Sequence, residues 1–90
     1  MVGVVFDWDD EDDAGGNTQK VRSHGVSPEE FEEVYESRRR SIVHSRSSHR
    51  PLIDGSTAAG RRLIIVFEYE DVDDIRIIRP ITAYPPERPE

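Results

Sequence analysis

Apolar and polar residues alternate from the start of the chain. Val2, Val4, Phe6 and Trp8 are separated by Gly3, Val5 and Asp7, which predicts a strand with one strongly apolar face. Asp9 to Gly16 is acidic and ends in Gly15-Gly16, so it reads as a loop or a frayed helix start. Asn17 to His24 reads as a short helix capped by Asn17, with Val21 as essentially its one apolar residue; Gly25 suits its C-terminus. The clearest local signal is Ser27-Pro28-Glu29-Glu30. Ser27 can cap, Pro28 suits the first helical position and Glu30 completes a capping box. Phe31, Val34 and Tyr35 then form the i, i+3, i+4 stripe of a helix over 28–38 that faces a sheet.

After Ser41 the pattern changes to strands. Ile42-Val43-His44 and Pro51-Leu52-Ile53 are short candidates, and the small residues Thr57 to Gly60 make a turn. Arg62 to Glu70 is the best strand. Leu63, Ile65, Phe67 and Tyr69 line one face, and Ile64 and Val66 lie on the other. Apolar residues on both faces predict a central position. Asp71 to Asp74 is a hairpin turn, and Ile75 to Thr82 is the returning strand. Pro80 has no amide for a ladder, so this strand is expected at an edge or bulged there. The expected fold is α+β: a small, mainly antiparallel sheet packed against N-terminal helices. Residues 1–84 form a single domain, and the proline-rich stretch 85–90 is a disordered or extended tail.

Charge adds a second layer. The formal net charge is -7, yet the acids fall in blocks: Asp7 and Asp9 to Asp13, then Glu29 to Glu36. Between Ser37 and Arg62 stand Arg38, Arg39, Arg40, Arg46, Arg50, Arg61 and Arg62, with Asp54 the one acid among them. Such a stretch reads either as a site for a polyanion or an acidic protein surface, or as a solvated face that balances the acids. Arg38 to Arg40 also have a structural account, because cations suit the C-terminal end of the helix begun at Pro28. The chain has no cysteine, which excludes disulfides and thiolate metal sites. The N-terminus lacks the basic-then-apolar pattern of a signal peptide, and the longest apolar run, Leu63 to Phe67, is too short for a membrane span. A soluble cytoplasmic protein is expected, without contact to membranes.

Phe6-x-Trp8-Asp9, Asn17, and His24-Gly25-Val26-Ser27 running into Glu29-Glu30 resemble the N-terminal half of BrnT-type toxins. Gly60-Arg61-Arg62-Leu63-Ile64-Ile65-Val66-Phe67 followed by Ile75-Arg76-Ile77-Ile78 looks like the closing hairpin of that family. The resemblance covers about residues 4–84 and implies the toxin half of a bacterial type II toxin–antitoxin pair. It implies a RelE-like fold, ribonuclease activity on messenger RNA, and an antitoxin protein as partner. The family typically follows the Ile-Arg-Ile-Ile segment with a basic pair, where this chain has Ile81 and Thr82. A Pro-Ile-Thr-Ala-Tyr ending and a proline-rich tail replace the family's C-terminal helix.

Cutting RNA without a metal requires a base for the 2′-hydroxyl, an acid for the leaving oxygen and cations around the phosphate. The candidates are His24, Glu68, Arg62, Arg76 and Arg79. His24 matches the family's histidine; structurally, a histidine before glycine at a helix end also caps carbonyls or packs. His44 and His49 flank a turn and read as surface residues. Glu68 stands either at the sheet rim or among apolar neighbours that would raise its pKa. Arg76 and Arg79 are three apart and so point to opposite faces of a regular strand. Arg38, Arg39, Arg40, Arg46, Arg50 and Arg61 are the candidates for holding RNA or a partner. No metal site is expected. No histidine or carboxylate pair has helical ligand spacing, and Asp9 to Asp13 lacks the alternation and closing glutamate of a calcium loop. There is no P-loop or dinucleotide fingerprint, so no small-molecule cofactor is expected. The reading is a toxin-type ribonuclease, weakened by loss of the basic pair. Its rival is a non-catalytic interaction module that binds an antitoxin-like protein.

Overall fold

The capping box forms as its spacing predicts. In a computed structural model, which describes residues 3–37, 41–44 (backbone) and 50–86, Ser27 Oγ accepts from the Glu30 amide at 3.1 Å. Glu30 Oε1 accepts from the Ser27 amide at 3.0 Å. Two first-turn donors are thereby satisfied by local side chains. The helix they start, α2 (Pro28–Glu36), buries Phe31, Val34 and Tyr35. It stops two residues short of the sequence expectation because Ser37 turns extended. No basic residue falls in its last turn, and Arg38, Arg39 and Arg40, to which the macrodipole account applies, lie outside the described residues. So do Arg46 and His49, like Glu87 to Glu90 of the tail.

Helix α1 (Asn17–Ser23) precedes it. Gly25 follows with φ +78°, the left-handed conformation that glycine enters without a Cβ clash. The Val26 amide donates to Val21 O at 3.0 Å and the Gly25 amide to Arg22 O at 2.9 Å. This is a Schellman termination, and its apolar pair Val21 and Val26 is fully buried. The expected cap at Asn17 is corrected: Gly16 is the N-cap residue and Asn17 is the first helical residue. The helix start is held instead by Asp9, whose Oδ2 accepts from the Asn17 amide at 2.8 Å.

The sheet has five strands in the order β1-β5-β4-β3-β2. These are β1 (Gly3–Phe6), β2 (Ser41–His44), β3 (Pro51–Ser56), β4 (Arg62–Val72) and β5 (Ile75–Tyr84). β1 runs parallel to β5, and the other pairings are antiparallel. β4 is interior, as its two-sided apolar pattern requires. β5 is interior along Ile75 to Ile78, and Pro80 falls just past the last residue that β1 pairs. The register shifts opposite Val66 and Phe67, so Thr82 faces Val66, Pro80 faces Phe67 and Ile81 has no cross-strand partner. A bulge tolerates the missing amide where a regular central ladder would not.

One face of the sheet carries the core. Ile53, Leu63, Ile65, Phe67, Ile78 and Ala83 pack against Val21, Val26, Phe31, Val34 and Tyr35, with Val4, Phe6 and Trp8 at the margin. Aromatic rings meet edge to face: Phe6 and Tyr35 at 5.5 Å, Trp8 and Phe31 at 5.2 Å, Tyr35 and Phe67 at 5.6 Å. The Trp8 indole donates to Glu32 Oε2 at 2.8 Å, which satisfies its polar atom. Two helices cover one face; no described helix covers the other.

Replacing Ser27 with alanine removes one acceptor from the first turn of α2. The variant is expected to lose about 0.5–2 kcal/mol, read from the denaturation midpoint at unchanged slope. An unaltered midpoint would mean that the box contributes nothing.

Candidate functional site

Strand alternation sorts the candidate residues before any contact is considered. Ile78 is buried on the helix-covered face, so Arg76, two residues earlier, shares that face and Arg79 takes the other. Glu68 pairs with Arg79 across β4 and β5 and therefore shares the open face. Arg62 is also on the open face, but six residues from Glu68 along β4, about 20 Å away. His24 stands at the C-terminus of α1, its ring 6.4 Å from that of Tyr84. The fold thus brings Glu68 and Arg79 together and keeps His24, Arg62 and Arg76 apart from them.

Each described arginine of the set holds a carboxylate of its own chain. Arg79 contacts Asp9 through both terminal nitrogens, at 2.9 Å each, and the carbonyl of Asp7 at 3.1 Å. Arg76 holds Asp71 at 2.7 and 3.0 Å and lies 4.4 Å from the centre of the Tyr69 ring. Its hydrogen bonds to Asp71 and then to Tyr35 raise its pKa above the ordinary guanidinium value. Arg62 Nε donates to Asp54 Oδ1 at 2.9 Å, and Arg50 Nε to Glu68 Oε1 at 2.9 Å. Arg61 reaches back to the helices: one nitrogen bonds the Gly25 carbonyl at 2.8 Å and the Glu30 carboxylate at 3.0 and 3.1 Å. It ties the end of α1, the capping box of α2 and the start of β4 to one another. Arg50, Arg61 and Arg62, expected as contacts for RNA or a partner, are therefore engaged within the chain.

The junction around Asp9 was not legible as a cluster. The Asn17 side chain accepts from the Asp9 amide at 2.8 Å and donates to the carbonyls of Asp7 and Pro80 at 3.1 and 2.9 Å. It stands where β1 has ended and β5 continues. Thr18 Oγ1 donates to the Asp9 carbonyl at 2.7 Å. Gly16 is required here, because a Cβ at that position would lie 2.6 Å from the Asp9 Cβ. The Asp9 carboxylate, 22% exposed, is held below the usual carboxylate range chiefly by its hydrogen bond to Arg79, then by the Asn17 amide.

On the open face, β1, β5 and β4 form three rows. Gly3, Ile75 and Val72 make the first; Val5, Ile77 and Glu70 the second; in the third Arg79 faces Glu68, with Asp7, just past the end of β1, 3.6 Å from Arg79. Val5, Val72 and Ile75 are 51, 42 and 45% exposed. A groove of about 460 Å³ runs beside them, lined by Asp7, Glu68, Tyr69, Glu70, Ile77 and Arg79. A sequence signal for this face did exist: Val4-Val5-Phe6 and Ile75 to Ile78 are apolar on both sides of their strands, and the chain has few helices to cover them. Among the described residues, no group of histidines and carboxylates is placed to hold a metal ion. No described helix is long and apolar enough to cross a membrane.

No protein-family model matches the chain, and no curated protein matches it.

Acid titration checks the junction. A depressed folded-state pKa contributes stability that is complete above the unfolded value, about 3.9, and lost as pH falls through the folded one. Glu30, Asp54 and Asp71 are depressed in the same direction by backbone or arginine hydrogen bonds. Thermal stability is therefore expected to fall steadily on acidification from about pH 5. Asp9→Asn is expected to lower it at neutral pH and to flatten the acid limb. An acid limb identical to that of the natural protein would show that Asp9 is not paired in the folded state.

Proposed function

We propose that this chain is a divergent BrnT-type protein with a RelE-like fold, working in the cytoplasm as a non-catalytic module that binds an antitoxin-like protein. The observation that carries this reading is the dispersal of the candidate catalytic residues. Phosphodiester cleavage needs base, acid and cation around one phosphate. Here Arg62, Arg76 and Arg79 sit at separate places, each against its own carboxylate. The residues that carry the family resemblance have structural work in this fold. Trp8 bonds Glu32, Asp9 bonds Arg79, Asn17 bridges β1 and β5, Gly25 and Val26 end α1, and Ser27 caps α2. The resemblance therefore speaks for a shared scaffold, and a scaffold with one open sheet face is suited to binding.

A ribonuclease reading keeps one supporting observation: Glu68 and Arg79 face each other across β4 and β5. On that reading Glu68 takes a proton, Arg79 holds the phosphate and the Arg38–Arg62 stretch binds RNA with a steep salt dependence.

Expression of the chain with and without its neighbouring reading frame separates the two. The module reading expects undisturbed growth with the chain alone, no cleavage of messenger RNA, and a stable complex with the neighbour's product. Growth arrest relieved by Glu68→Gln or Arg79→Ala would establish the ribonuclease instead. One transition-state contact is worth about 10²–10³ in rate, so Ile81→Arg with Thr82→Arg would then raise cleavage. On the module reading this double variant stays inactive.

A further inference from the structure

We infer that the open face of β1, β5 and β4 is the docking surface, and that its occupant is a basic amphipathic helix of a partner protein. The inference rests on the module reading and reverses the polarity that the arginine-rich stretch suggests. The described arginines are engaged within the chain, whereas this face offers apolar surface edged with acid.

Its apolar part is Val5, Val72 and Ile75, with Ile77 half-buried between them. Three of the four large apolar side chains most exposed among the described residues thus share one face; the fourth, Tyr69, lies under Arg76 on the other. The edge is acidic. Glu68 and Glu70 stand on β4, Asp7 follows β1, and Asp73 and Asp74 lie at the hairpin tip beside the start of β1. Arg79, the one cation on these three rows, is neutralised by Asp9. Glu70 has no ion-pair partner among the described residues. The groove beside Ile77 is lined by Asp7, Glu68 and Glu70. Glu68 already bonds Arg50 and Asp7 lies 3.6 Å from Arg79, so Glu70 is the acid that fits a lysine or arginine side chain whose stem lies on Ile77.

Size and charge decide the occupant. Three strands span about 10 Å, the diameter of one α-helix. Three rows along the strands span roughly 14 Å, between two and three helical turns. A second copy of this chain would bring the same acids face to face across a thin apolar strip, a like-charge juxtaposition that disfavours association. A helix with apolar residues at i, i+3, i+4 and i+7 and lysine or arginine on its flanks meets both requirements.

The test uses the whole isotope-labelled chain and a synthetic leucine–lysine amphipathic peptide of roughly 15 residues, about four turns. A leucine–glutamate peptide of the same pattern is the control. Amide shifts are expected at residues 3–7 and 68–79, with at least about tenfold weaker binding of the glutamate peptide. Glu70→Lys with Val72→Lys is expected to cost a similar factor, and affinity to fall as salt rises. All of these positions are exposed, and an unchanged circular dichroism spectrum shows that the variant folds. Shifts elsewhere, equal binding of both peptides, or self-association broken by Val72→Lys would overturn the inference. The product of the neighbouring frame then distinguishes the two levels. A complex indifferent to Glu70→Lys with Val72→Lys removes this docking face but leaves the module reading. If the neighbour's product does not bind while the lysine peptide does, the face stands and the antitoxin reading falls.

Discussion

The carboxylate of Asp9 is the joint on which the N-terminal half of this fold depends. It accepts the first amide of α1, it holds both terminal nitrogens of Arg79 on β5, and its backbone is clasped by Asn17 and Thr18. These contacts fix where β1 stops, where α1 begins and how β5 continues past the end of its parallel neighbour. The Asn17 amide group spans the gap between the carbonyls of Asp7 and Pro80. Polar groups that a longer β1 would have paired are satisfied by one side chain. The close approach leaves no room for a Cβ at position 16.

Arg61 is the second joint, between the helices and the sheet. Helix α1 ends in a Schellman turn, α2 begins two residues after Gly25 with a capping box, and Arg61 bonds both the Gly25 carbonyl and the Glu30 carboxylate. Together with the Asp9 junction, this gives the conspicuous motif residues and several arginines contacts within the chain. They hold together a domain too small to rely on its core alone. An arginine in a carboxylate fork has fewer donors left for a phosphate, and His24, Arg62 and Arg76 stand apart from the facing pair Glu68 and Arg79.

Among the described residues, two helices pack on one side of the five-stranded sheet and side chains alone line the other. Along much of it, Arg62–Asp54 and Arg50–Glu68 supply polarity. At the end where β4 and β5 project past β3, Val5, Val72 and Ile75 are exposed beside Glu68, Glu70 and Asp7. A layered domain buries each apolar face against another element. This region is where the docking proposed above would supply the further layer.

What the sequence determined by itself was local. The capping box, the Phe31–Val34–Tyr35 stripe, the glycine after α1, the interior position of β4 and the opposite facing of Arg76 and Arg79 all depend on residues within one or two turns or on strand alternation. Those spacings fix geometry regardless of the rest of the chain. The cap of α1, the interior place of β5 and the partner of every described candidate arginine were decided by tertiary structure. Asp9 and Arg79 are 70 residues apart in sequence, and Arg61 and Glu30 are 31 apart. Composition shows that acids and arginines are both abundant, but which of them meet is set by strand order and register. Pro80 left two options open, edge or bulge; it falls beyond the last residue that β1 pairs, Ile78, and next to a register shift against β4, so both describe its place. The same nonlocality turned Arg50, Arg61 and Arg62 of a basic stretch that looked like a binding site into internal ion pairs, and gathered Val5, Val72, Ile75 and Glu70 into one face.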